Sequence, residues 1–62
     1  MTNTEFRVAM KSLGVSQNWL AERLGVHWVT VSRWANGALE VPPYASFTLD
    51  LLLLLPEGKR PK

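Results

Sequence analysis

The sequence predicts an all-α domain of four short helices, and three observations carry that prediction. Apolar residues recur at helical spacing, glycine follows each of the first three helical segments where a helix would end, and the 62 residues include no cysteine. A chain this short lies near the lower limit for a single core. With no disulfide, and with one histidine and no thiol to hold zinc, it is left with tight helix packing or association with a second copy. Hydrophobic residues at 47% against charged residues at 19% mark a globular composition rather than a disordered one. The same size leaves little room for a substrate pocket beside a core. No enzyme, cofactor, metal or small-molecule ligand is therefore expected.

The first helix is expected over Asn3 to Leu13. Thr2 and Glu5 have the spacing of a reciprocal capping box, and Phe6, Ala9, Met10 and Leu13 recur at i, i+3, i+4 and i+7. Gly14 supplies the left-handed stop and Val15 the apolar residue that packs back after it. Ser16 caps the second helix, where Leu20 and Leu24 share a face with small Ala21 beside them, and Gly25 ends it after two turns. Val26 and His27 link to a third helix, Trp28 to Ala35, closed by Asn36-Gly37. Its β-branched residues lower helix propensity, so packing must hold it. The glycine stops on either side, and the i, i+3 pair Val31 and Trp34, decide against a strand. Ala38 to Val41 is a loop, and the last helix is expected from Pro43 to Leu55, with proline suited to its first position and Pro56 ending it.

Charge is unevenly placed. Through Pro56 the basic residues Arg7, Lys11, Arg23 and Arg33 equal the acidic residues Glu5, Glu22, Glu40 and Asp50; the net +2 comes from Glu57-Gly58-Lys59-Arg60-Pro61-Lys62. Bulk charge does not announce a nucleic-acid partner, and the case must rest on placed side chains. The polar start Met1-Thr2-Asn3-Thr4-Glu5 predicts no secretory leader. The longest apolar run, Leu51 to Leu55, is far short of the roughly 20 residues that a membrane helix needs. A cytoplasmic protein with no membrane partner is expected.

The second and third helices have the elements of a helix-turn-helix. Ala21 must be small because the following helix crosses close over it, and Gly25 takes a turn that a β-carbon would obstruct. Val26, Val31 and Trp34 seat one helix on the other, while Leu20 and Leu24 anchor the pair to the core. Residues 1–56 form this one domain, with 57–62 a short basic tail.

The segments Val15-Ser16-Gln17-Asn18-Trp19-Leu20-Ala21-Glu22-Arg23-Leu24-Gly25-Val26 and Thr30-Val31-Ser32-Arg33-Trp34-Ala35-Asn36-Gly37, at their spacing, resemble the Cro/C1-type (XRE-like) DNA-binding domain of phage and bacterial repressors. The resemblance runs from Phe6 to about Leu52. The small size and the ending Val41 to Leu55 are also similar to short phage regulators, anti-CRISPR-associated autorepressors among them. What it implies is a lambda-repressor-like fold whose third helix enters the major groove. Trp28, Val29, Ser32 and Arg33 would then read bases, Arg33 through O6 and N7 of guanine, and Trp28 and Val29 against thymine methyls. Gln17, His27, Thr30 and Asn36 would contact the DNA backbone, His27 while capping the third helix. Many members pair an Arg in the first helix with a Glu after the reading helix; here those positions are Met10 and Ala35, so no charge is left buried alone. Met10 and Ala35 are expected together in one apolar cluster with Trp34. Trp19, where the family is usually polar, either shields the core edge, touches the sugar-phosphate backbone or meets a partner.

Each of these residues has a plainer reading. Arg33 is also a favourable cation near a helix C-terminus, and Trp28 also suits a protein interface; DNA contact is preferred for both. The tail is expected to be a disordered, solubilising end rather than a phosphate contact. The function expected is a sequence-specific transcriptional regulator that represses its own operon, bound to an inverted repeat of double-stranded DNA. The alternative is a protein-interaction module of antitoxin or phage accessory type. A homodimer is expected through the last helix. At about 100° per residue, Tyr44, Phe47, Thr48, Leu51 and Leu55 fall on the side predicted to cover the other helices. Ala45, Leu49, Leu52 and Leu53 form a second apolar row predicted to be the dimer interface.

Overall fold

The computed structural model describes residues 1–60 and contains α1 (Asn3–Leu13), α2 (Gln17–Leu24), α3 (Trp28–Asn36) and α4 (Pro43–Leu54), followed by a 3-10 turn at Glu57–Lys59. No strand is present among the described residues. The class is all-α, as the sequence predicts, and the helix boundaries agree to within one residue. Pro61 and Lys62, the end of the predicted tail, lie outside the described residues.

Local chemistry explains each boundary. The Glu5 N–H donates to the Thr2 hydroxyl at 3.1 Å and the Thr2 N–H donates to Glu5 Oε1 at 2.9 Å, which closes the capping box. At the other end of α1, Gly14 is left-handed with φ 69°, and the Gly14 and Val15 N–H groups return to carbonyls of Lys11 and Met10. Ser16 Oγ accepts the Trp19 N–H at 3.0 Å to open α2, and Gly25, again left-handed, closes it. His27 opens α3 with Nδ1 accepting the Val29 N–H at 3.2 Å. Beyond the left-handed Gly37, the Leu39 N–H satisfies the Arg33 carbonyl at 3.1 Å.

One core holds the four helices. α1 packs against α3 and α4, and α2 packs against α3. Phe6, Ala9, Met10 and Leu13 come from α1, Leu20 and Ala21 from α2, and Val31, Trp34 and Ala35 from α3; Val41, Ala45 and Leu49 complete the cluster. Phe6, Leu20, Val31 and Leu49 are its largest fully enclosed side chains, each stabilising the fold by about 1.5–3 kcal/mol. Among the described residues no polar or charged side chain is buried. Met10 and Ala35 lie in this cluster with Trp34, as expected.

The faces of α4 are the reverse of those predicted. Ala45 and Leu49 are fully buried, and Leu52 and Leu53 pack partly covered against the core, so this row is unavailable as a dimer interface. Phe47, Leu51 and Leu55, expected to cover the other helices, are exposed, and Leu54 is exposed with them; Tyr44, from the same expected side, is half exposed and keeps a ring contact with Trp34 of α3 at 6.0 Å. Thr48, from the same expected side, is half-buried and donates its hydroxyl hydrogen to the Tyr44 carbonyl at 2.7 Å. The physical reason is that α4 is apolar all round, so periodicity fixes its helical character without fixing its rotation. The rotation is set by packing, which puts small Ala45 and, one turn on, Leu49 into the core.

The tail also departs from expectation over its described part. Pro56 cannot continue α4, whose last carbonyls need partners. Arg60 supplies them, with Nε donating to the Leu55 carbonyl at 2.9 Å and Nη2 to the Leu53 carbonyl at 3.3 Å. A cation at a helix C-terminus is also favoured by the dipole. Residues 57–60 are thus an ordered cap, not a disordered end.

Candidate nucleic-acid interface

The outer side of α3 follows from which residues its core side consumes. Val31, Trp34 and Ala35 are buried. At about 100° per residue, that leaves Val29, Ser32, Arg33 and Asn36, spaced i, i+3, i+4 and i+7, as one outward stripe. Arg33 and Asn36 are exposed; Val29 and Ser32 are half-buried at the same side. Trp28 stands at the head of the helix on one flank of the stripe, 54% exposed, and half-buried Thr30 lies on the other flank. Of the four predicted base readers, three share the stripe, and Trp28 adjoins it at the N-terminal end.

Two of the predicted backbone-contacting residues have part of their hydrogen-bonding capacity already committed. The Asn36 side-chain oxygen accepts the Ala38 N–H at 2.9 Å, which closes an Asx turn and leaves the NH2 group as the donor. The capping bond to His27 Nδ1 makes that nitrogen an acceptor, so in the neutral ring the proton sits on Nε2. The His27 ring lies 5.8 Å from the Trp28 ring at a 30° tilt, so the two aromatics form one surface at the start of α3. Gln17 is exposed in the first turn of α2.

Trp19 belongs to the core edge, the first of its three sequence readings. It packs partly covered against the core, with its indole Nε1 enclosed and without a hydrogen-bond partner. The Arg23 guanidinium lies over its ring at 5.2 Å from the centroid, a cation–π contact one turn along α2.

An open cleft of about 330 Å³ lies between the chain start and the loop after α3, where Glu40 is the sole titratable side chain among its lining residues. Among the described residues no three His, Asp or Glu side chains converge as metal ligands, and no helix is long and apolar enough to cross a membrane. Sequence reasoning missed the outward Tyr44, Phe47, Leu51 and Leu54 row and the Arg60 cap. The signal for the first was the small Ala45, which suits close approach to a neighbouring helix.

No family model, curated protein or solved structure matches this chain.

Proposed function

We propose that the protein is a sequence-specific, double-stranded DNA-binding regulator with a lambda-repressor-like helix-turn-helix. In this reading it acts in the cytoplasm as a repressor of its own operon, and a homodimer binds an inverted repeat with one α3 in each major groove. The observation that carries the reading is the stripe Val29, Ser32, Arg33 and Asn36 on the free side of a helix whose other side is locked into the core. Arg33 is the guanine reader, Ser32 bonds a neighbouring base edge, and Val29 and Trp28 pack on thymine methyls. Gln17, His27, Thr30 and Asn36 hold the phosphates. The likeness of the Ser16 to Val26 and Thr30 to Gly37 segments to Cro/C1-type domains supports the same placement. Catalysis is not proposed, because Glu40 has no acid–base partner in the cleft.

The decisive experiment is a gel shift of the protein with its own upstream DNA against a scrambled duplex of equal length. Retardation of the upstream duplex at concentrations at least tenfold lower than the scrambled one is expected. Equal retardation of both, or none, overturns the reading. Exposed Trp28 favours the alternative, a protein-interaction module of antitoxin or phage accessory type, which predicts no preference for any duplex.

A further inference from the structure

The DNA-reading stripe leaves the outward row of α4 unused, and the core takes from it only one side of the Tyr44 ring, which meets Trp34 at 6.0 Å. Tyr44 is 51% exposed, Phe47 64%, Leu51 47%, Leu54 79% and Leu55 39%. Tyr44, Phe47, Leu51 and Leu54 are spaced i, i+3, i+7 and i+10, so they stack along one side of the helix over about 15 Å. We infer that this row, and not the opposite face of α4, is the seam on which a second copy of the chain docks. The inference names the partner surface behind the homodimer of the proposed function, yet it stands on α4 alone and is tested without DNA.

Area, charge and symmetry select the occupant. The exposed side chains leave roughly 500 Å² of mostly apolar surface on one protomer, near the top of the range for a monomer's largest patch. Two such faces bury about 1,000 Å² together, which reaches the lower bound for a specific interface. The row itself carries no charged side chain; the nearest is Asp50, at its border by helical rotation. Its partner must therefore be equally apolar and of the same length, and a twofold copy of the row meets both conditions by construction. A lipid surface fits worse. Interfacial helices set Lys and Arg on their polar face, whereas α4 has neither and its one charge is acidic. Of the two basic residues that the structure describes after α4, Arg60 is turned onto the α4 carbonyls and exposed Lys59 is left as a single cation.

The test is sedimentation equilibrium of the full chain from 1 to 100 μM without DNA, compared with Phe47→Lys/Leu51→Lys and with Val8→Lys. Val8 is an exposed apolar residue of α1, outside the row. The wild type and Val8→Lys are expected at twice the 7.0 kDa chain mass, and the α4 double variant at the single-chain mass with unchanged helical circular dichroism. Should that double variant unfold, Phe47→Ser/Leu54→Ser, at the two most exposed positions, replaces it with the same expectation. A wild type that stays monomeric to 100 μM overturns the inference, as does an α4 variant that remains dimeric. A monomer that floats with neutral lipid vesicles also overturns it and gives the row to lipid. A dimer that fails to prefer its upstream DNA leaves the seam standing and removes the DNA reading.

Discussion

Phe6 and Trp34 meet as a T, their ring centroids 6.0 Å apart and their planes inclined by 86°. Tyr44 approaches the same indole at 6.0 Å and 77°, so one side chain of α3 is clasped by α1 and α4 together. Each such pair adds about 0.5–1.5 kcal/mol beyond burial. Trp34 follows Arg33 directly in the chain, about 100° round the helix, so the buried indole leaves Arg33 exposed. The rotation of α3, and with it the direction of the outward stripe, is therefore set by an aromatic contact chain in the core.

Arg33 and Gln17 should fail in different ways. Arg33→Ala is expected to cost about 1–3 kcal/mol on the specific duplex and to relax preference at one base pair per half-site. Gln17→Ala should weaken binding to specific and random duplexes by the same factor. Fluorescence anisotropy on both duplexes reads the difference, and an equal loss on both for Arg33→Ala removes it as a reader.

Met10 and Ala35 allow a charge-insertion experiment in the core. Met10→Arg alone places an unpaired guanidinium among buried apolar residues and should destabilise the fold by about 3–5 kcal/mol. Adding Ala35→Glu should recover part of that loss, with a coupling of about 0.5–3 kcal/mol in a double-mutant cycle. Urea denaturation of the four proteins measures it; strictly additive losses would show that the two side chains do not meet.

Glu5 gives the first helix a dependence on pH. The Thr2 backbone N–H, and after it the Thr2 hydroxyl, hold the Glu5 carboxyl below the ordinary glutamate range. A carboxyl depressed in the folded state stabilises above its unfolded pKa and loses that contribution as pH falls through the depressed folded value. After correction for the intrinsic chemical rate, protection of the first-turn amides of α1 should therefore fall in acid for the wild type. In Glu5→Gln, exchange corrected for the intrinsic chemical rate should show no such step.

Arg60 should act on α4 and not as a general basic tail. Arg60→Ala removes two bonds to the last carbonyls and is expected to fray the final turn, at a cost of about 0.3–1 kcal/mol. Lys59→Ala should leave that turn unchanged. Arg60→Lys should restore less than half of the loss, since one ammonium does not reproduce the planar fork that reaches two carbonyls. Carbonyl chemical shifts of Leu53 and Leu55 report it directly.

The helix ends were legible because each is written in local chemistry: Thr2 with Glu5, Ser16, the left-handed glycines and Pro43 act within a few residues of themselves. The core of α1 to α3 was legible for a related reason. Their apolar residues occupy one side, so the period also gives the direction. In α4 the leucine run erases that contrast, and only the tertiary fit of Ala45 and Leu49 chooses the inward side. The Arg60 cap was out of reach because it depends on where the chain turns after Pro56, and no spacing encodes that turn. On α3, the placement of Val29, Ser32, Arg33 and Asn36 on one outward face could be read once Val31 and Trp34 were taken as core. The half-buried state of Ser32 and the commitment of the Asn36 oxygen needed the packed helices.

The three tryptophans occupy three unlike environments: Trp34 is sealed in the core, Trp19 sits at the core edge beneath a guanidinium, and Trp28 faces water at the head of α3. Indole emission shifts to the red as solvent reaches the ring, so the unlabelled chain carries separable optical signals. The blue component from Trp34 follows unfolding. The red component from Trp28 follows whatever settles on α3, and a collisional quencher such as iodide reaches it first. Replacing Trp28 with Phe would silence the second signal and leave the first, so folding and ligand occupancy can be read from a single cuvette.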